Sequence, residues 1–183
     1  MDYWDVERYE DATERIKDAE SALEDARDHH TVAVDRFERV DETEIDLELI
    51  DDARSDMADL DDAITGLAPL LAGTREMSRG FQALFTGLDE FVEERWNTAA
   101  SDLDEASTRF GSAEDRFRDG EETAPVEMRS DFIDLTCMSG HFSDAARHYR
   151  DAANAADEED WDTFEARVDA GEAALEASGD CEL

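Results

Sequence analysis

Apolar side chains recur at intervals of three and four along most of the chain, and this spacing restricts the fold more than any other feature. It is clearest in the first forty residues, where large residues seven apart are each followed, three residues later, by a smaller one. Such spacing puts every member on one face of an α-helix and repeats as a heptad. We therefore predict a long helix over residues 2–40, whose alanines allow a neighbouring backbone to come close. The stripe consists of Tyr9, Ile16, Leu23, His30 and Phe37 with Ala12, Ala19, Ala26, Ala33 and Val40.

The same spacing continues towards the end of the chain and predicts three further long helices and a short one. These helices are expected over residues 43–78, 81–119, 124–157 and 160–178. The end of the second is ambiguous, because Pro69 should kink or restart a helix and glycines at seven-residue intervals, from Gly66 to Gly87, should weaken it. We place its end at 78–80, where the first two helices become similar in length, with a break at 66–69 as the alternative.

These elements define an all-α fold, since no segment shows the alternation of a half-buried strand. Four long heptad-patterned helices joined by short turns favour an antiparallel bundle, with the short C-terminal helix folded back along the fourth. A length of 183 residues suits one domain, so we expect residues 1–183 to form a single helical bundle.

Two short segments resemble each other: residues 93–98 read Glu-Glu-Arg-Trp-Asn-Thr and residues 158–163 read Glu-Glu-Asp-Trp-Asp-Thr. A duplicated helical hairpin would explain the match. Two helix starts that use the same cap and aromatic chemistry would explain it equally well, and we prefer this interpretation. Asp160 is the residue expected to cap the last helix.

The charge of the chain is extreme and its cations are of one kind. There are 53 acidic and 17 basic residues, which give a formal net charge of −36, and Lys17 is the only lysine. Self-repulsion at this density is tolerable when salt screens it, because the Debye length falls to about 3 Å at 1 M. We infer adaptation to molar salt. A surface this negative repels phosphate backbones, so nucleic acid is not expected as a partner.

The sequence also bears on location. No apolar run reaches the roughly 18 residues that a membrane-spanning helix needs, and the first residues lack the pattern of a signal peptide. We expect a cytoplasmic protein without a membrane span. An exported protein expressed without its leader is the alternative.

The two cysteines are too far apart in sequence for a CxxC motif, but the predicted hairpin brings them to one height. Cys137 lies twenty residues before Asp157, and Cys181 lies twenty-one after Asp160, so equal rise along antiparallel helices could place them together. A disulfide between them is one hypothesis. The other is a small residue beside the core and a frayed terminal thiol, as a reducing cytoplasm favours.

Few side chains offer recognisable chemistry. His30 lies on the apolar stripe and should face the bundle interior, as a metal ligand, a pH switch or, preferably, a hydrogen-bonded register marker. His141, Asp144 and His148 are three and four apart, so they share a helix face and could offer three ligands to a divalent metal. The core positions beside them belong to other residues, which leaves this trio on a solvated flank.

Catalytic motifs are missing from the sequence. It has no Glu-x-x-His pair of the ferritin-like kind, no HExxH, no glycine-rich phosphate loop and no GxSxG. An enzyme is therefore not the expected class, and no cofactor is expected. The leading hypothesis is a helical scaffold or adaptor that binds another protein or its own copy in a high-salt cell. The alternative is a ligand- or metal-binding bundle that uses His30 or the face of His141, Asp144 and His148.

Overall fold

The computed structural model describes residues 6–40 and 47–181, and over these residues the chain is helical with no strand. The predicted all-α class is confirmed. In the described part, no helix is long and apolar enough to cross a membrane. The predicted helical positions 2–5 and 43–46 and the side chain of Tyr9 lie outside the described residues. The elements are α1 (Val6–Phe37), α2 (Leu47–Val92), α3 (Trp96–Thr123), a 3-10 turn (Val126–Met128), α4 (Arg129–Asp157) and α5 (Trp161–Ser178).

Helix α2 is continuous over 46 residues, so the predicted end at 78–80 and the alternative at 66–69 are both wrong. Pro69 lies inside the helix. The glycines do not interrupt it, because three of them receive large side chains of α3 and Gly66 faces Met128 of the 3-10 turn. A Cβ atom added to Gly73 would lie 2.4 Å from the Phe117 ring, and one added to Gly80 would lie 2.8 Å from the Phe110 ring. Close packing along the whole contact therefore outweighs the low helix propensity of glycine, about 1 kcal/mol per residue.

The chain turns instead at residues 93–95, inside the segment that resembles residues 158–163. Glu94 and Glu159 occupy the same place in the two turns and both have a φ of 60°. The next residue closes each turn: Arg95 N–H donates to the Glu90 carbonyl at 2.9 Å, and Asp160 N–H donates to the Ala155 carbonyl at 2.8 Å. This six-to-one hydrogen bond after a left-handed residue is the Schellman ending of a helix.

The caps of the two following helices differ. The predicted cap at Asp160 is confirmed, since its carboxylate accepts from Thr163 N–H at 3.2 Å, whereas Arg95 provides no side-chain cap to α3. The helix pairs α2–α3 and α4–α5 nevertheless share a register about their turns. Gly87 and Leu103 meet eight residues on either side of Arg95, and Tyr149 and Gly171 meet eleven residues on either side of Asp160. The match between the two segments thus extends from the turns to the packing of the helices beside them. Duplication of a helix pair therefore stays an explanation of the match, next to the preferred one of two similar helix starts.

The third helix ends later than predicted and the fourth begins later, at Thr123 and Arg129 instead of 119 and 124. Gly120 does not end α3, because it lies inside the helix and receives a ring from α4. A Cβ atom added there would lie 2.2 Å from Phe132. Proline at 125 instead precedes the short 3-10 turn that leads into α4.

The core lies where α3 is packed between the second half of α2 and α4, with α5 against α4. The side chains of Leu103, Phe110 and Phe117 are fully buried there. Helix α1 packs against α2, and none of its residues from 11 to 37 is buried. The protein therefore has a well-packed block, formed by residues 68–181, and a less buried hairpin, formed by α1 with residues 47–67. The first part of α1 lies along the block, where Thr13 contacts Ser78.

Candidate functional site

The hairpin is held by an antiparallel contact between α1 and α2. Near its outer end the Arg54 guanidinium lies 5.9 Å from the centre of the Phe37 ring. In the middle His30 lies 3.0 Å from the Met57 carbonyl, to which its Nε2–H donates. The His30 side chain is 10% exposed, and its Nδ1 is 3.8 Å from the Asp61 carboxylate. The structure thus places His30 between the two helices, hydrogen-bonded to the backbone of the facing helix.

One flank of the hairpin is apolar and open to solvent. Leu60 and Leu67 of α2 are 49% and 38% exposed, and Ala26 and Ala33 of α1 are exposed as well. Each lies three residues after a position in the contact between the helices, as Leu60 follows Met57. A three-residue step turns every one of them about its helix in the same sense. Because the two helices face each other and run in opposite directions, this rotation brings the alanines and the leucines to the same side.

We call this flank the open face, consisting of Ala26, Ala33, Leu60 and Leu67. Opposite charges border the open face at one position. On the α1 edge, one residue before the contact positions, stand Arg15, Ala22, His29 and Arg36, all exposed. At the equivalent positions of α2 stand Leu49 and Asp56, both exposed, and Ala63. The open face is therefore bordered by the cation Arg36 on one helix and by the anion Asp56 on the other.

A network of ion pairs joins the hairpin to the block. Glu76 of α2, 12% exposed, contacts Arg109 of α3 at 3.0 Å and Arg79 at 3.2 Å. Burial raises the pKa of Glu76, but the hydrogen bond from Arg109 and the positive charges of the nearby arginines outweigh it and lower the pKa below its usual value. Arg75 completes the link, because its Nη1 lies 2.7 Å from Glu20 of α1. This network was not predicted from the sequence. The i, i+3 spacing of Glu76 and Arg79 was the available signal, whereas the contact with Arg109 depends on how α3 packs.

The cysteines form a second feature, at the far side of the block. Cys137 and Cys181 are joined by a disulfide with a Cα–Cα distance of 6.0 Å, which ties α4 to the segment after α5. Their sequence separation is 44 residues. His141 lies one helical turn after Cys137, and its ring nitrogen and the two sulfur atoms all lie within 4.8 Å of one another.

The structure divides the predicted metal trio. His141 joins the cysteines, Asp144 forms an ion pair with Arg147 at 2.6 Å, and the His148 Nδ1 lies 3.5 Å from Arg167. The signal for the observed group was present in the sequence, since Cys137 and His141 are four apart and Cys181 was expected at the same height. The spacing of the trio depends on α4 alone. Contacts from α5 and the segment after it determine which partner each of the three residues has.

No protein-family model, curated protein or solved structure matches this chain.

Proposed function

We propose that this chain is a non-enzymatic helical interaction protein whose hairpin pairs with the hairpin of a second copy. The observation that carries the proposal is the open face, where Leu60 and Leu67 are 49% and 38% exposed beside two exposed alanines. Removing apolar surface from water stabilises an association by roughly 25 cal/mol per Å² before the entropy of binding is subtracted. Molar salt strengthens this contribution and screens the repulsion between two acidic chains.

The proposed dimer forms an antiparallel four-helix bundle from two copies, in place of the bundle within one chain that the heptad pattern predicted. Each hairpin supplies two helices, whose contact positions already pack against each other. The residues three positions later, which form the open face, are then free to pack against the second copy. Two hairpins stacked by their open faces bury Leu60 and Leu67 against the alanines of the partner. Small residues at such positions let the helix axes approach closely.

The charges of Arg36 and Asp56 favour one arrangement of the two copies. A twofold axis parallel to the helices places α1 of one chain over α2 of the other, so that Arg36 faces the partner's Asp56. An axis perpendicular to the helices would place α1 over α1 and α2 over α2, which brings like charges together. Isologous contacts of this kind are the commonest symmetry of homodimers. These charges thus support both a second copy as the occupant and a particular orientation.

The high-salt cell and the cytoplasmic location predicted from the sequence belong to the same proposal. The redox state of the cysteine pair in living cells tests the location. Mostly reduced thiols support the cytoplasm, and a persistent bond supports the exported alternative.

The dimer is tested by light scattering after size exclusion, in molar salt, on the full chain and on two matched variants. Leu60→Glu places a charge on the open face, whereas Val32→Glu places one on an α1 side chain that is 47% exposed and points away from that face. We expect dimers for the wild type and Val32→Glu, and monomers of unchanged helicity for Leu60→Glu. A wild-type protein that stays monomeric at every concentration contradicts the proposal.

The orientation is tested by reversing charges across the proposed contact. Arg36→Glu and Asp56→Arg should each weaken the dimer, and the double variant should restore it, because the pair is then reversed and not lost. If the losses of dimer affinity in the two single variants add up in the double variant, the arrangement of α1 over the partner's α2 is contradicted.

A further inference from the structure

We propose that Cys137, His141 and Cys181 form a zinc site when their disulfide is reduced, so that the α5 end is held to α4 by a bond in one redox state and by a metal ion in the other. This inference is independent of the proposed dimer, because the cysteine group lies in the block and not in the hairpin.

The first support is the convergence of three suitable ligands from two parts of the chain. Among the described residues, no other group of three or more histidine, cysteine, aspartate or glutamate side chains brings its ligand atoms within such a distance. None of the many carboxylates in the described part of the chain takes part in such a group. The convergence is therefore not a consequence of the acidic composition.

The second support is the chemistry of the ligands. Two thiolates and a neutral imidazole are the donors that zinc prefers over calcium or magnesium, which prefer oxygen. The two thiolate charges balance the double charge of the ion. Three protein ligands leave the fourth tetrahedral position to water, the arrangement of an open zinc site.

The change of state is balanced as follows. A dithiol reductant reduces the bond between Cys137 and Cys181 by thiol–disulfide exchange and is itself converted to a disulfide, which leaves two thiols on the protein. A zinc ion then binds both sulfur atoms and the lone pair of the His141 ring, and the two thiol protons are released to solvent. While the disulfide is present, neither sulfur is a thiolate, so the two states exclude each other.

The backbone can follow this change. Thiolates bound to one zinc ion at about 2.3 Å in tetrahedral geometry lie about 3.8 Å apart, so the two sulfur atoms must separate once the bond is reduced. Cys137 is fixed within α4, but Cys181 lies three residues beyond the last residue of α5, Ser178. The segment after the helix can therefore supply the movement while α4 keeps Cys137 and His141 on one face.

The test is a zinc titration of the full chain, oxidised and reduced, in a concentrated sulfate salt that does not compete for the ion. Bound metal is counted by equilibrium dialysis, and cobalt(II) in place of zinc reports thiolate ligation by its absorption spectrum. We expect one ion per reduced chain and none per oxidised chain. His141→Ala should weaken binding at least about tenfold, and Cys181→Ser should abolish the thiolate spectrum.

Asp144→Asn and His148→Ala are the matched controls, because they lie on the same helix and belonged to the predicted trio. They should bind zinc as the wild type does, and circular dichroism verifies that every variant is folded. Equal binding to oxidised and reduced protein, no binding to reduced protein, or loss of binding in the controls alone would each overturn the proposal.

Discussion

The block and the hairpin use the same residue spacing with different results. In the block, Phe110 has no exposed surface and contacts the rings of Phe81 and Phe142, because α2 and α4 lie on either side of α3. In the hairpin, Phe37 has the same kind of position on its helix but remains half-buried, since α2 is the one helix packed against α1 in the part of the chain that the structure describes. A heptad stripe therefore prepares a surface for burial, and the number of neighbouring helices decides how much of it is buried.

Truncating these two phenylalanines should separate the regions most strongly. Phe110→Ala leaves a cavity among fixed side chains and should lower the free energy of unfolding by about 3–5 kcal/mol. Phe37→Ala removes a ring that is already partly hydrated, so about 1 kcal/mol is expected for the monomer. Denaturation in molar salt at low protein concentration measures both. Equal losses would mean that the hairpin is packed as well as the block.

The disulfide sharpens the comparison, since it lies within the block. In the chain-entropy model, closing its loop contributes about 4 kcal/mol, and strain in the native state reduces this value. Replacing both cysteines by serine should therefore lower the melting temperature markedly in a zinc-free buffer. Adding a reductant should lower that of the wild type and leave that of the variant unchanged. No difference between the oxidised wild type and the variant would show that the bond does not stabilise the fold.

The glycines of the block test close packing directly. Gly73→Ala pushes a methyl group against the buried Phe117 ring and should destabilise the protein by about 1–3 kcal/mol. Gly111→Ala is its control, because a Cβ atom there meets its nearest neighbour, the Ser143 hydroxyl, at 3.8 Å. This second change should stabilise α3 by up to about 1 kcal/mol through helix propensity. Effects of the same sign at both positions would remove the packing explanation for an uninterrupted α2.

Glu76 tests the connection between the two regions. Its lowered pKa means that the folded state favours the carboxylate, so its stabilisation is complete above the usual glutamate pKa and is lost as the pH falls through the lowered value. Glu76→Gln should lower stability by about 1–2 kcal/mol at neutral pH, with the difference from wild type shrinking in acid. Glu105→Gln, whose side chain is 56% exposed, should change stability by less than about half a kcal/mol. A stability difference between Glu76→Gln and the wild type that grows as the pH falls would contradict a stabilising carboxylate at this position.

Much of the fold was predictable from the sequence, for local reasons. Spacing alone indicated that Leu23, His30 and Phe37 share one face of α1, and all three are half-buried there. The capping chemistry of Asp160 was likewise local. The end of α2 was not predictable in this way. Glycine lowers helix propensity, and its benefit to close packing depends on a large side chain from another helix, which the local sequence does not show. The resemblance of residues 93–98 to 158–163 was the available signal for the true turn.

The candidate sites show the same division. His141, Asp144 and His148 share a flank of α4, as their spacing requires, but contacts from α5 and from the segment after it decide their partners. The open face was visible in the sequence only as the alanines of the first stripe. The open face is exposed because α2 continues beyond the block as one helix. A prediction that ends this helix at 78–80 does not contain that feature.

Hydrogen exchange followed by mass spectrometry, on the wild type at several protein concentrations in molar salt, tests the proposed pairing of hairpins most directly. If a second copy completes the hairpin, amides of residues 19–40 and 47–67 gain protection as the concentration rises, while those of α3 and α4 exchange at a constant rate. Protection of the hairpin that is independent of concentration would contradict the proposal that a second copy covers the open face.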